Sequence, residues 1–208
     1  MGQTYKKISD KMQGWIAKQH LYFVATAPSG DEGHINLSPK GNMTTFAVID
    51  PNRVAYIDMT GSGIETVAHL RDNGRICVMF CAFEGPPKIV RLHGQGRVVQ
   101  RHDPDFAELL GHFTVTDEVE PLIRAVIDID VTRVSDSCGF VVPKMKFEGE
   151  RNQLYRWGEA ETADDPNFID HYIEANLAES IDGLKGLDVP DTLTEEEKAK
   201  LSHVGRAL

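Results

Sequence analysis

The chain has only three cysteines in 208 residues: Cys77, Cys81 and Cys138. An odd count without the close spacing of a small disulfide-bonded domain excludes a disulfide framework and points to a reducing compartment. No apolar run approaches the roughly 18–20 residues that a membrane-spanning helix needs, so no membrane association is expected. Basic residues are also scarce. Twenty-two Lys and Arg stand against 32 Asp and Glu, giving a net charge of −10. An acidic surface repels phosphate backbones, so nucleic acid is not an expected partner. Residues 1–7 lead into a polar, helix-like stretch with no apolar signal core, and the expected location is cytoplasmic.

Several motifs are missing as well. No Gly-x-Gly-x-x-Gly follows a strand, and most strands lack a crossover helix between them, which argues against a doubly wound dinucleotide fold. Gly61-Ser62-Gly63 is too short for a nucleophile elbow. No His/Cys cluster has zinc spacing, so no metal site is expected. No pair of carboxylates is placed for acid–base work, and there is no internal repeat. If the chain is an enzyme, a cofactor supplies the reactive group and the protein orients it.

What remains is a β-rich pattern. Segments 21–27, 34–38, 46–49, 53–59, 75–83, 89–100 and 123–135 read as strands, several joined by Gly/Pro/Asn turns. Helical periods appear at 8–20, 64–73, 103–110 and 166–178, with Gly74 as a stop signal after the second. The tail from Asp191 is Glu/Lys-rich and reads as a solvated helix or a frayed end. The fold class is mainly β with flanking helices: six or more largely antiparallel strands in a barrel or sandwich. Cys77 and Cys81 lie four apart on one strand and share a face, either as small core residues or as a metal or redox pair.

Two short segments stand out as candidate chemistry. Lys40 lies just past a strand beside Gly41, where its compact charge could meet a phosphate. Asn36 and Ser38 share a face of that strand. Thr60-Gly61-Ser62-Gly63 opens the 64–73 helix, and helix starts present free N–H groups and a positive dipole end. Lys88 and Arg91 begin a later strand but face opposite sides, with His93 on the Arg91 face. Each of these has an ordinary reading too: a turn lysine, an edge-strand amide, a plain helix cap, a structural histidine.

Four segments, in this order and spacing, resemble the pyridoxamine 5′-phosphate oxidase-like, FMN-binding split-barrel family over residues 10–135. They are Ile35-Asn36-Leu37-Ser38-Pro39-Lys40-Gly41, Val54-Ala55-Tyr56-Ile57-Asp58-Met59, His69-Leu70-Arg71-Asp72-Asn73-Gly74-Arg75 and Arg91-Leu92-His93-Gly94-Gln95-Gly96. The resemblance implies a split β-barrel over 1–136 and a homodimer with FMN bound at the subunit interface. It implies Lys40 on the FMN phosphate, and Asn36, Leu37 and Ser38 along the flavin. It sets Asp58, Met59 and Thr60 beside the ribityl-phosphate region, and Lys88 near the flavin. Arg91 and the neutral donors Ser62, Gly63 and Thr66 complete the candidate set. Residues 137–208 form a C-terminal extension packed on the barrel or the dimer partner, with 137–143 and 155–157 as a lid over a flavin.

The sequence also departs from the vitamin B6 oxidase. The Ser-Arg-Lys phosphate clamp of that enzyme is replaced by Ile64-Glu65-Thr66, which removes two cations and adds a carboxylate. Ile35 stands near the position of an expected arginine, and the substrate-binding signature at the C-terminus is missing. The implied function is an FMN-dependent oxidoreductase acting on a small molecule other than pyridoxamine phosphate. The alternatives are a deazaflavin-dependent reductase, a non-catalytic flavin- or haem-binding protein with His34, His93 or His171 as axial ligand, and an interaction scaffold.

Overall fold

The structure, a computed structural model, describes residues 2–189 and 192–201. Its centre is one antiparallel sheet. The strands are β1 (Thr4–Tyr5), β2 (Tyr22–Thr26), β3 (Asn36–Lys40), β4 (Phe46–Asp50), β5 (Arg53–Met59), β6 (Arg75–Cys81), β7 (Ile89–Gln100) and β8 (Ile123–Ser137). They run β3-β2-β6-β7-β8-β5-β4, with β1 added on β8. The helices are α1 (Asp10–Ile16), α2 (Glu65–Asn73), α3 (Phe106–Leu110), α4 (Gln153–Asp164), α5 (Phe168–Asn176) and α6 (Glu195–Leu201).

β3 and β4 are the two ends of the sheet, although only a 3-10 turn at Met43–Thr45 separates them in the chain. The ring of Phe46 in β4 lies 5.1 Å from Tyr22 in β2 and 5.1 Å from Phe80 in β6. Contact between side chains from opposite ends requires the sheet to curl until those ends face each other without pairing. The result is the expected split barrel. Its interior follows from strand alternation: Tyr22, Val24, Val54, Tyr56, Val78, Phe80, Leu92, Ile127 and Ile129 are all fully buried.

The long strands β7 and β8 pair along almost their full length, with a register shift between His93 and Gly94. A side chain at Gly94 would run into the Asp130 carbonyl, so the close approach of the strands there requires glycine. α2 ends at Gly74, whose φ of 72° is left-handed and whose N–H caps the Leu70 carbonyl at 3.0 Å.

Several expected boundaries shift. Lys40 is the last residue of β3 rather than the residue after it, because the strand starts at Asn36 and continues through Pro39. An edge strand tolerates a proline whose missing N–H would face no partner. The helix expected at 103–110 is only Phe106–Leu110, with Pro104 outside it. The 166–178 helix contracts to Phe168–Asn176. α4 was not expected as a helix; its residues 155–157 were read only as part of a lid. It packs Leu154, Tyr155 and Trp157 against the barrel core, and the rings of Trp157, Phe168 and Tyr172 cluster together. Phe168, Ile169, Tyr172, Leu177 and Leu187 belong to the same buried cluster as the strands. α6 supplies the solvated helix of the tail; Asp191 and residues 202–208 lie outside the described residues.

Cys81 is buried but Cys77 is only half-buried, on the outer face of β6 with its Sγ 4.0 Å from His93 Nε2. The reading of both as core residues therefore fails for Cys77. Among the described residues no group of His, Cys, Asp or Glu is placed to hold a metal ion. None of their helices is long and apolar enough to cross a membrane.

Candidate cofactor site

Three elements meet where β3 faces the end of β5 and the start of α2. Alternation on β3 turns Asn36, Ser38 and Lys40 inward and leaves Leu37 63% exposed. The Asn36 side chain donates to Thr66 Oγ1 at 2.8 Å and to Thr26 Oγ1 at 3.1 Å, and the Ser38 hydroxyl donates to Asn36 Oδ1 at 2.8 Å. Thr26 Oγ1 also lies 3.0 Å from His69 Nδ1. Burial pushes the His69 pKa below its ordinary value, so the ring is neutral at pH 7.

Tyr56 and Asp58 on β5 and Thr60 immediately after it are all fully buried. Asp58 is held by two cations. Lys40 Nζ lies 3.2 Å from Oδ1, and Arg124 Nε donates to Oδ2 at 2.7 Å. Burial acts to raise the Asp58 pKa, but the charges and hydrogen bonds of Arg124 and Lys40 outweigh it and hold the group below the ordinary carboxylate value. Arg124 also donates to the carbonyls of Gly61 at 3.2 Å and Gly63 at 2.6 Å, so it fixes the loop that opens α2.

Arg124 is the main group that sequence reasoning missed. The one signal for it was a lone arginine between Ile123 and Ala125 at the start of an apolar strand. A buried cation at such a position needs a buried anion.

The candidate residues thus fall into two sets. The structure brings Asn36, Ser38, Lys40, Asp58, Thr60 and Thr66 to one rim, with Met59 half-buried beside them and Ser62 and Gly63 exposed in the adjoining loop. Lys88 and Arg91 engage other partners. Lys88 Nζ lies 3.6 Å from Asp136 and 5.4 Å from the centre of the Trp15 ring, and Arg91 donates to Ser137 at 3.3 Å. Of the histidines named as axial-ligand candidates, His34 pairs with Asp182 at 2.6 Å and His171 with Asp165 at 3.0 Å, while His93 sits beside Cys77.

The rim has donors to spare for a polar ligand. Thr60 Oγ1 and Tyr56 Oη are buried without a hydrogen-bond partner among the described residues, as is His69 Nε2. Buried polar atoms are ordinarily paired; Tyr22 Oη in the barrel and Trp157 Nε1 in α4 are unpaired as well. The start of α2 is the exception. The Ile64 N–H donates to Glu65 Oε2 at 3.1 Å, so the chain's own carboxylate already lies at the free N–H groups of the helix. A phosphate fits there only once Glu65 has swung away, and Glu65 is on the half-exposed side of α2, where it can.

The sequence matches the family described as Pyridoxamine 5'-phosphate oxidase over residues 8–138. The chain belongs to the pyridoxamine 5'-phosphate oxidase family. It is similar to the pyridoxamine 5'-phosphate oxidase family protein ustO of Aspergillus flavus, with 46% identity over 140 residues. That alignment takes in 67% of this chain and 55% of the relative, so the chain spans about half the length of the curated protein it matches. Among solved structures it is similar to a putative pyridoxamine 5'-phosphate oxidase of Lactobacillus delbrueckii, at 18% identity and a TM-score of 0.47, covering 62% of this chain and 94% of that one. It is also similar to a FAD-binding protein of Mesorhizobium loti, at 14% identity and a TM-score of 0.44, covering 65% of this chain and 95% of that one. Every strand of the barrel except β1 falls within the family match, and so do Lys40, Asp58, Glu65 and Arg124.

Proposed function

We propose that this member of the pyridoxamine 5'-phosphate oxidase family is an FMN-dependent oxidoreductase that works as a homodimer on a small-molecule substrate. The observation that carries the reading is the rim where Lys40, Asn36, Ser38, Thr60 and Thr66 converge from three elements, with buried hydroxyls left unpartnered. A flavin bound there supplies the electron transfer; the chain supplies the placement.

In this reading Lys40 meets the phosphate with a charge-assisted hydrogen bond and Asp58 keeps that lysine in position. Arg124 holds the Gly61–Gly63 turn so that Ser62 and Thr66 face the same ligand. The exposed Ile35, just before the edge strand β3, and Leu37 on it are 81% and 63% accessible, and a second copy of the chain covers them. Lys88 and Arg91, which lie apart from Lys40 in one protomer, then serve the partner's flavin. The expected compartment is the cytoplasm.

The deciding experiment is the visible absorption spectrum of freshly purified protein before and after FMN is added. Flavin bands shifted from those of free FMN support the reading. A colourless protein that leaves the FMN spectrum unchanged overturns it, and a Soret band replaces it with haem.

A further inference from the structure

We propose that the groove between the end of α1 and the 145–147 segment is a binding site for a planar aromatic carboxylate, separate from the Lys40 rim. The groove has a volume of about 520 Å³, within the range of about 300–1,000 Å³ usual for small-molecule sites. Its walls are mainly apolar and rich in flat surfaces: Trp15, His20, Phe83, Pro86, Met145 and Phe147.

These walls are held in place before any ligand arrives. The Gln19 side chain donates to the Trp15 carbonyl at 2.8 Å. Across the groove, the Met145 N–H donates to the Phe83 carbonyl at 3.0 Å and so ties the far wall to the β6–β7 turn. Phe147 lies parallel to His20, with ring centres 3.8 Å apart and 1° between planes. A preformed slot orders little on binding, so stacking on its faces goes mostly into affinity.

The charges of the groove select the ligand's other end. Lys18 and Lys146 line it, and neither side chain has an ion-pair partner among the described residues. The one carboxylate on the lining is Glu84, and it faces His20 Nε2 at 3.8 Å. Two cations less one anion leave this groove at +1, on a chain whose net charge is −10. Flat apolar walls beside unpaired ammonium groups fit an aromatic ring carrying a carboxylate. Hydrophobic packing supplies the affinity and the lysines supply the selectivity.

The test is calorimetric titration of the full chain with 2-naphthoate, and with 2-naphthylmethanol as its uncharged counterpart. The expected result is that naphthoate binds at least tenfold more tightly than the alcohol. Phe147→Ala, on an exposed segment whose loss leaves the barrel intact, weakens both ligands at least fivefold. Lys146→Gln weakens naphthoate alone. Equal binding of the two ligands, or unchanged binding by Phe147→Ala, overturns the proposal. Competition between FMN and naphthoate also overturns it, because it would make the groove the seat of the flavin ring. The result does not depend on the flavin reading: a protein that ignores FMN and still binds naphthoate loses that reading and keeps this site.

Discussion

Lys40 Nζ lies 3.2 Å from Asp58 Oδ1, and this contact joins the last residue of the edge strand β3 to the end of β5, which lies next to the opposite edge of the sheet. Arg124 holds the other carboxylate oxygen at 2.7 Å, so the two cations share one anion but not one role. Lys40 is partly exposed, whereas Arg124 is buried. Lys40→Met should therefore leave the fold intact, because Arg124 still neutralises Asp58. It should weaken FMN binding by about 1.5–3 kcal/mol through loss of a charge-assisted hydrogen bond to phosphate. Arg124→Met should instead destabilise the protein by about 3 kcal/mol, since it strips a buried carboxylate of its closest partner and frees the Gly61 and Gly63 carbonyls. Urea unfolding and fluorescence titration of both variants separate the two. Equal loss of stability in both would mean that the cations are interchangeable.

The same carboxylate sets an acid limit. Its folded-state pKa lies below the ordinary value of 3.8, because Arg124 and Lys40 overcome the opposing effect of burial. A depressed pKa stabilises the folded state fully above the unfolded value, and that contribution disappears as pH falls through the folded value. Asp128 acts in the same direction, with Arg53 and Arg97 outweighing its burial. Melting temperature should hold level from pH 7 to about pH 5 and fall steeply below 3.8. A melting temperature that is flat down to pH 2 would show that neither ion pair stabilises the fold.

The barrel was legible because half-buried strands write their alternation into the sequence. Asn36 and Ser38 were expected on one face of their strand, and the structure places them, with Lys40, on the inward face beside their β2 partners Thr26, Val24 and Tyr22. The grouping of Asn36 with Thr66 and of Lys40 with Asp58 was legible only through the family resemblance, since those pairs are 30 and 18 residues apart. Arg124 was not legible. Its anion lies 66 residues earlier, and a single charge inside an apolar run gives no local pattern. α4 was missed for a related reason. Its first turn has no side-chain cap, and Leu154, Tyr155 and Trp157 find their apolar partners only in the folded core. Cys77 was misplaced because a period of two fixes which residues share a face but not which face is buried.

The edge strand tests the dimer. Leu37 projects from β3 on the side away from Lys40, Ile35 immediately precedes the strand, and both are large, apolar and exposed. Replacing both with lysine removes a surface that water covers poorly and adds two like charges to any symmetric contact. If the proposed dimer forms through this edge, the double variant should sediment as a monomer at concentrations where the unaltered chain sediments as two copies. Its stability should stay within about 0.5 kcal/mol, as expected for exposed sites, and it should release flavin on dilution. A monomeric wild-type chain that retains FMN would rule out an interfacial site.

Glu65 gives the sharpest test of the phosphate end. Its carboxylate accepts the Ile64 N–H at 3.1 Å and also lies 3.3 Å from where a Gly63 side chain would begin. That is the position where the free N–H groups of α2 would otherwise meet an anion. An incoming phosphate has to displace Glu65 and then remain near its charge, and a charge at a helix start is worth up to about 1 kcal/mol at an exposed site. Glu65→Gln keeps the side-chain shape and an acceptor oxygen but removes the repulsion. FMN should then bind about fivefold more tightly, which corresponds to that energy. Riboflavin has the same ring and ribityl chain without the phosphate, and its affinity should not change. The ratio of the two dissociation constants, measured by flavin fluorescence quenching, isolates the phosphate from everything else in the site. If both flavins tighten equally, Glu65 acts on the barrel and not on the anion. If neither changes, the phosphate lies elsewhere on the rim, and the pairing of Glu65 with the Ile64 N–H is only a helix cap.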